Sequence, residues 1–158
     1  MTGEIRFYDF KNKYREFSNF YLIPIKIDNE IWRSVEHYYQ KMKFDNNDII
    51  KMIKESKSPK EIYNIANSRT GKYKKFIRKD WDEIKLDVMR KALYGKFSQH
   101  AHLKKLLLDT GDAIIIENSP TDSFWGVGGF GKEAIKGQNN WLGFLLVELR
   151  DKLKGESS

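Results

Sequence analysis

The chain has no cysteine, which excludes disulfides, thiolate nucleophiles and cysteine-built zinc sites together. No apolar run comes near the roughly 20 residues needed to span a bilayer. Residues 1–10 place acids and aromatics where a secretory leader needs a continuous apolar stretch. Internal repeats and low-complexity blocks are missing as well. His37 has no second histidine or acid in metal-ligand spacing, so neither a metal nor a cofactor is expected. The glycine-rich stretch Gly126–Gly131 fits neither a dinucleotide fingerprint nor a Walker loop, because the spacing fails and no GK[ST] follows. These absences leave a cysteine-free globular protein, expected to be cytoplasmic.

What is present is a core and an excess of positive charge. At 158 residues, with 40% hydrophobic and 14% aromatic residues, the chain can bury a core of ordinary density. One domain over residues 1–154 is expected, with 155–158 as a frayed tail. Lys and Arg number 29 against 22 Asp and Glu, a net charge of +7. That balance favours phosphorylated or polyanionic ligands and equally serves solubility. Charge alone names no reaction.

The hydrophobic period predicts mostly helix with a few short strands, an α+β fold. Ile5 and Phe7, with Asp9 and Phe10, suggest a first strand, and Tyr21–Trp32 alternates like a hairpin turning at Asp28-Asn29. After Ser34 the period lengthens into a helix reaching Phe44, and a second helix covers 46–55. Ser58, Pro59 and Glu61 supply a cap, a first-turn proline and a capping-box acid in order. A longer helix starts at Asp80 and buries Ile84, Val88, Met89, Ala92, Leu93 and Phe97. Ser98 is the expected cap of the next helix, which buries Leu103, Leu106 and Leu107 and ends at Gly111. Ala113–Glu117 reads as a strand. A last helix, capped by Asn139 or Asn140, buries Leu142, Leu145, Leu146, Leu149 and Leu153.

Two segments have the composition of a site. On a helix, Glu36, Gln40 and Lys43 share a face distinct from the stripe of Val35, Tyr38, Tyr39 and Met42. Glu36 and Lys43 then stand two turns apart, roughly 10 Å along the axis. Such a face either holds a ligand between an acid and an amine or is merely solvated, and His37 beside it reads as a satisfied core histidine. The second segment is Pro120–Gly131. Asp122 and Trp125 offer an acceptor and a stacking plate ahead of glycines whose backbone can approach an anion; a surface loop with one aromatic anchor fits as well. Trp81 follows the basic run Lys72–Lys79, and Arg78 could meet phosphate or stand free in solvent. Asn19 lies between aromatics, and Asn140 can be a helix cap.

Read together, the chain resembles the YbiA-like, or NADAR, family over nearly its whole length. The resemblance is carried by FSNF at Phe17–Phe20, SVEHYYQ with Lys43-Phe44, RKDW at Arg78–Trp81 and VMRKALYGKF at Val88–Phe97. It continues through LLLDTGD at Leu106–Asp112, DSFWG at Asp122–Gly126 and NWLGFLLVELR at Asn140–Arg150. Lys132–Gln138 is longer than the family's usual link and departs from it. The resemblance implies an enzyme that cleaves a ribose–base N-glycosidic bond. One implied substrate is guanine carrying ADP-ribose, in nucleic acid or nucleoside. The other is a phosphoribosylamino intermediate of riboflavin biosynthesis, cut to free ribose 5-phosphate. A module that binds ADP-ribose or nucleic acid without cutting it is the third expectation. Lys43, Glu36 and Asp122 are implied as catalytic, and Asn19, Arg78, Trp81, Trp125, Gly126 and Asn140 as substrate-binding. Departure of a base builds positive charge on the ribose, which a carboxylate can stabilise. A neutral Lys43 can instead attack the anomeric carbon, and burial or a neighbouring cation, Lys41 for example, would lower its pKa as that requires.

Overall fold

The computed structural model describes residues 3–8 and 13–156. It contains the expected mixture, six α-helices and four short strands, and these elements form two compact units. None of the helices is long and apolar enough to cross a membrane among the described residues.

The first unit, residues 19–99, is built around one helix. Strands β2 (Ile25–Ile27) and β3 (Glu30–Trp32) pair antiparallel around Asp28 and Asn29, whose φ values of 51° and 67° make the turn that matches strand twist. The expected alternation from Tyr21 holds at Ile23, Ile25 and Ile27, all buried; the strand ladder begins at Ile25, and before Pro24 the Ile23 N–H still reaches across to the Arg33 carbonyl at 2.9 Å. Ser34 then caps α1 (Val35–Lys43) by accepting the His37 N–H, and Asn46 caps α2 (Asn47–Glu55) through Ile49. Ser58 caps α3 (Pro59–Ala66), yet Glu61 does not complete the capping box. Its carboxylate accepts from the Ser56 hydroxyl, and the Ser58 N–H goes to that same hydroxyl.

Helix α4 (Trp81–Gln99) packs on both α1 and β2. Gly95 permits the second contact, since a Cβ there would lie 2.9 Å from Ile25 Cγ2. At the end of α4 the Gln99 amide extends the sheet edge, donating to the Lys26 carbonyl at 2.7 Å and accepting its N–H at 2.9 Å. Ser98 is therefore inside α4 rather than a cap. Phe44, Ile49, Ile53 and Ile62 form a satellite core, with Tyr73, Phe76 and Ile77 packed against it.

The other unit comprises residues 1–18 and 100–158. Strand β1 (Glu4–Phe7) pairs parallel with β4 (Ile114–Glu117), placing Ile5 opposite Ile115; Asp9 and Phe10 lie outside the described residues. Helix α5 (Ala101–Leu108) buries Leu103 and Leu107 fully and Leu106 partly. Helix α6 (Trp141–Glu156) lies on β4. It crosses at Gly143, where a side chain would collide with the Ile115 carbonyl. The buried Arg150 donates to Thr110 Oγ1 and to the Ala113 carbonyl, tying α6 to the turn before β4. The helix runs on to Glu156, into the expected tail, and Ser157 and Ser158 lie outside the described residues.

Candidate active site

Helix α1 sets the polar face expected from its spacing, but buries it. Glu36 is only 5% exposed and Gln40 only 2%. The Gln40 Nε2 donates to Glu36 Oε1 at 2.8 Å. Gln40 Oε1 is thereby directed away from Glu36, buried and without a donor among the described residues. Asn19 joins the same turn: its carbonyl accepts the Glu36 N–H at 3.1 Å, and its buried Oδ1 also lacks a donor. Two buried acceptors with no protein partner are costly in a core that has no use for them.

Lys43, at the C-terminal end of the same face, is half-buried. Burial holds its amine below the ordinary lysine pKa; Glu36 and Asp82 oppose the shift and Lys85 reinforces it. The cation that assists is thus Lys85, on α4, and not Lys41, whose Nζ lies over the Trp32 ring. Sequence reasoning missed Lys85. Its signal was the four-residue spacing from Trp81, which puts both on one face of α4. Trp81 is buried, edge-on to Tyr39 at 4.9 Å between ring centroids. Arg78 meets a carboxylate, donating from Nε and Nη2 to the two oxygens of Asp80 at 2.6 and 3.1 Å. That pair shapes the turn into α4, where the Asp80 carbonyl accepts the Glu83 and Ile84 N–H groups.

His37 is the satisfied core histidine. Its Nε2 donates to the Ser56 carbonyl at 2.8 Å, leaving Nδ1 to accept from the Ser34 hydroxyl at 2.7 Å. Burial keeps its pKa below the usual imidazole value.

The Asp122 loop has a different internal logic. Ser119 Oγ accepts the Asp122 N–H at 2.9 Å, and Asp122 Oδ1 in turn accepts the N–H groups of Phe124 and Trp125, each at 2.9 Å. The carboxylate organises its own loop. Trp125 is half-buried, edge-on to Phe124 at 4.7 Å, and Phe124 stacks on Trp141. Gly126 is required by close approach, since a Cβ would lie 2.7 Å from the Glu117 carbonyl oxygen. Asn140 is 0% exposed and bonded at both ends, accepting from Glu117 N and donating to the Ile115 carbonyl, each at 2.9 Å. With φ at +53° it is not an ordinary N-cap; it clamps β4 to the start of α6. Glycine-loop N–H groups are partly used at home as well, Val127 by Glu117 and Gly131 by Asn118.

A buried acid and amide share one helix face with a lysine of weakened proton affinity, and a tryptophan loop is held by its own aspartate. These features sit in a chain whose residues 6–154 match the NADAR domain, and the chain belongs to that family. Among its relatives, N-glycosidase YbiA of Escherichia coli K12 is 42% identical over 149 residues, covering 94% of this chain and 88% of that protein. N-glycosidase Npun_R5314 of Nostoc punctiforme is 39% identical over 153 residues, 95% of this chain and 92% of its own. The chloroplastic riboflavin biosynthesis protein PYRR of Zea mays is 39% identical over 165 residues, which span 98% of this chain and 26% of the maize protein. The solution structure of E. coli YbiA superposes with a TM-score of 0.81 at 39% identity, covering 99% of this chain and 89% of that one.

Proposed function

We propose that this chain hydrolyses a ribose–base N-glycosidic bond with Lys43 as nucleophile, and that its substrate is guanine carrying ADP-ribose. The observation that carries the reaction is the half-buried Lys43 amine, its pKa lowered by burial, on one helix face with the buried Glu36. N-glycosidase relatives matching nearly the full chain support the reaction class. The net charge of +7 supports a ligand that is diphosphate-linked or part of a nucleic acid.

Attack by neutral Nζ on the anomeric carbon forms a C–N bond as the bond to the base breaks. The base leaves with the electron pair and a proton. Loss of a proton from Nζ and opening of the ring C–O bond, whose oxygen takes a proton, give a Schiff base. Water then hydrolyses it to free sugar and free amine. Glu36 is the proton carrier, its carboxylate held by Gln40. Trp81 supplies an aromatic wall on the same unit as Lys43; within its own unit, Asp122 fixes the Phe124 and Trp125 amides.

The maize relative favours a second reading, release of ribose 5-phosphate from a riboflavin intermediate. Mass spectrometry of an ADP-ribosylated guanine nucleoside and of the phosphoribosylamino pyrimidine, each incubated with protein, separates the two. Loss of ADP-ribose with wild type and not with Lys43→Ala supports the first. Turnover of the pyrimidine alone establishes the second. Stoichiometric binding without turnover of either leaves a binding module.

A further inference from the structure

The chain's charge excess is concentrated. Residues 69–79 contain Arg69, Lys72, Lys74, Lys75, Arg78 and Lys79 and no acid, so this one segment carries nearly all of the net +7. Arg78 is paired with Asp80, whereas Arg69, Lys72, Lys74, Lys75 and Lys79 are exposed and make no ion pair among the described residues. A solvated linker of this composition would repel itself into an open coil, but here it is built. Gly71 N–H bonds the Ser68 carbonyl, Lys74 N–H that of Gly71, and Phe76 N–H that of Tyr73, giving successive turns. Tyr73, Phe76 and Ile77 face inward onto the satellite core. Two of the lysines are steadied by these rings, with Lys72 Nζ 4.9 Å from the Tyr73 centroid and Lys75 Nζ 5.2 Å from that of Phe76.

The end of this segment is stitched to the nucleophile's own backbone. Arg78 N–H donates to the Lys43 carbonyl at 3.0 Å, Asp45 N–H to the Phe76 carbonyl at 2.7 Å, and Phe44 forms a β-bridge with Ile77. The cationic ridge is therefore rigidly referenced to Lys43. Ordered exposed cations leading to a reacting residue suit a ligand with regularly repeated negative charge, and a mononucleoside has too few phosphates to use them.

We infer that the ridge of Arg69, Lys72, Lys74, Lys75 and Lys79 binds the phosphate backbone of a nucleic-acid strand, so that the modified guanine is taken from within a strand with its base unstacked. The substrate part of this inference rests on the proposed function; the binding surface does not.

The test uses the intact chain and the variant K72Q/K74Q/K75Q/K79Q, whose changes are all on exposed side chains. Fluorescence anisotropy with an unmodified single-stranded oligonucleotide measures the surface without catalysis. Four phosphate contacts on a single strand predict about 50-fold weaker binding on going from 50 to 200 mM salt, with that dependence largely lost in the variant. For an ADP-ribosylated oligonucleotide the variant is expected to lower kcat/KM through KM, while release from the ADP-ribosylated nucleoside stays unchanged. Oligonucleotide binding with no ADP-ribose release from either substrate would keep the ridge and overturn the substrate reading. Salt-insensitive binding, equal loss on oligonucleotide and nucleoside, or charge-dependent capture by phosphatidylserine vesicles with none by the oligonucleotide would each overturn the ridge as a nucleic-acid surface.

Discussion

In the Asp122 loop the polar side chains bond to backbone. Ser119 holds Asp122, Asp122 holds Phe124 and Trp125, and Asn140 spans from β4 to the start of α6. On α1 Gln40 bonds instead to the side chain of Glu36, and buried acceptors at Gln40 and Asn19 have no donor among the described residues. Both segments have the residue types of an active site. On the proposed function, this difference in what their hydrogen bonds reach assigns the two segments different parts: polar groups bonded to backbone fix a shape, while buried polar groups with capacity in hand are open to a ligand.

Mutations should divide along the same line. Lys43→Ala is expected to lower kcat by at least about 10³-fold with the fold intact, as read in single-turnover assays and by circular dichroism. Glu36→Gln keeps the volume and removes the proposed proton carrier, and should cost about 10²–10⁴ in kcat. On the scaffold side, Asn140→Ala leaves the Glu117 N–H and the Ile115 carbonyl unpaired. It should lower unfolding free energy in urea by about 3 kcal/mol, one to three per orphaned group being typical. If Asn140→Ala instead left stability alone and abolished activity, the division would fail.

Two smaller effects concern pH. His37 is held neutral, its pKa below the 6.5 it has unfolded, so its share of stability is present above that pH. That share should be lost as pH falls from 6.5 toward the folded value, and Tm of a His37→Gln variant should show less of this acid dependence. Lys43 also has a lowered pKa, so the unfolded chain binds more protons between the folded value and 10.5. Its burial therefore disfavours folding at neutral pH, and the penalty fades as pH rises through that window. Lys43→Met should raise Tm slightly at pH 7 and progressively less in alkaline buffer.

Much of the architecture was legible because it is local. Ser34, Asn46 and Ser58 cap the helices they precede, and Asp28-Asn29 turns the hairpin, since each acts within four residues of itself. Misreadings arose where a side chain had a distant or competing partner. Asn140 looked like a cap and serves β4, more than twenty residues away; Glu61 found Ser56, and Ser98 stayed within α4. Lys85 and the fully buried Lys96, whose Nζ lies over the rings of Tyr21 and Phe97, were invisible for the same reason. Periodicity places a lysine on a face, but only packing shows what that face meets. For the site, spacing grouped Glu36, Gln40 and Lys43, whereas their burial and the open acceptors emerged only from the fold.

Borohydride reduction during turnover tests the central claim most directly. Wild-type protein mixed with ADP-ribosylated guanine nucleoside and cyanoborohydride should gain the mass of the reduced ADP-ribosyl adduct, and peptide mapping should place it on Lys43. Steady substrate cleavage with no adduct, or an adduct on any other lysine, would contradict the assignment of Lys43 as nucleophile.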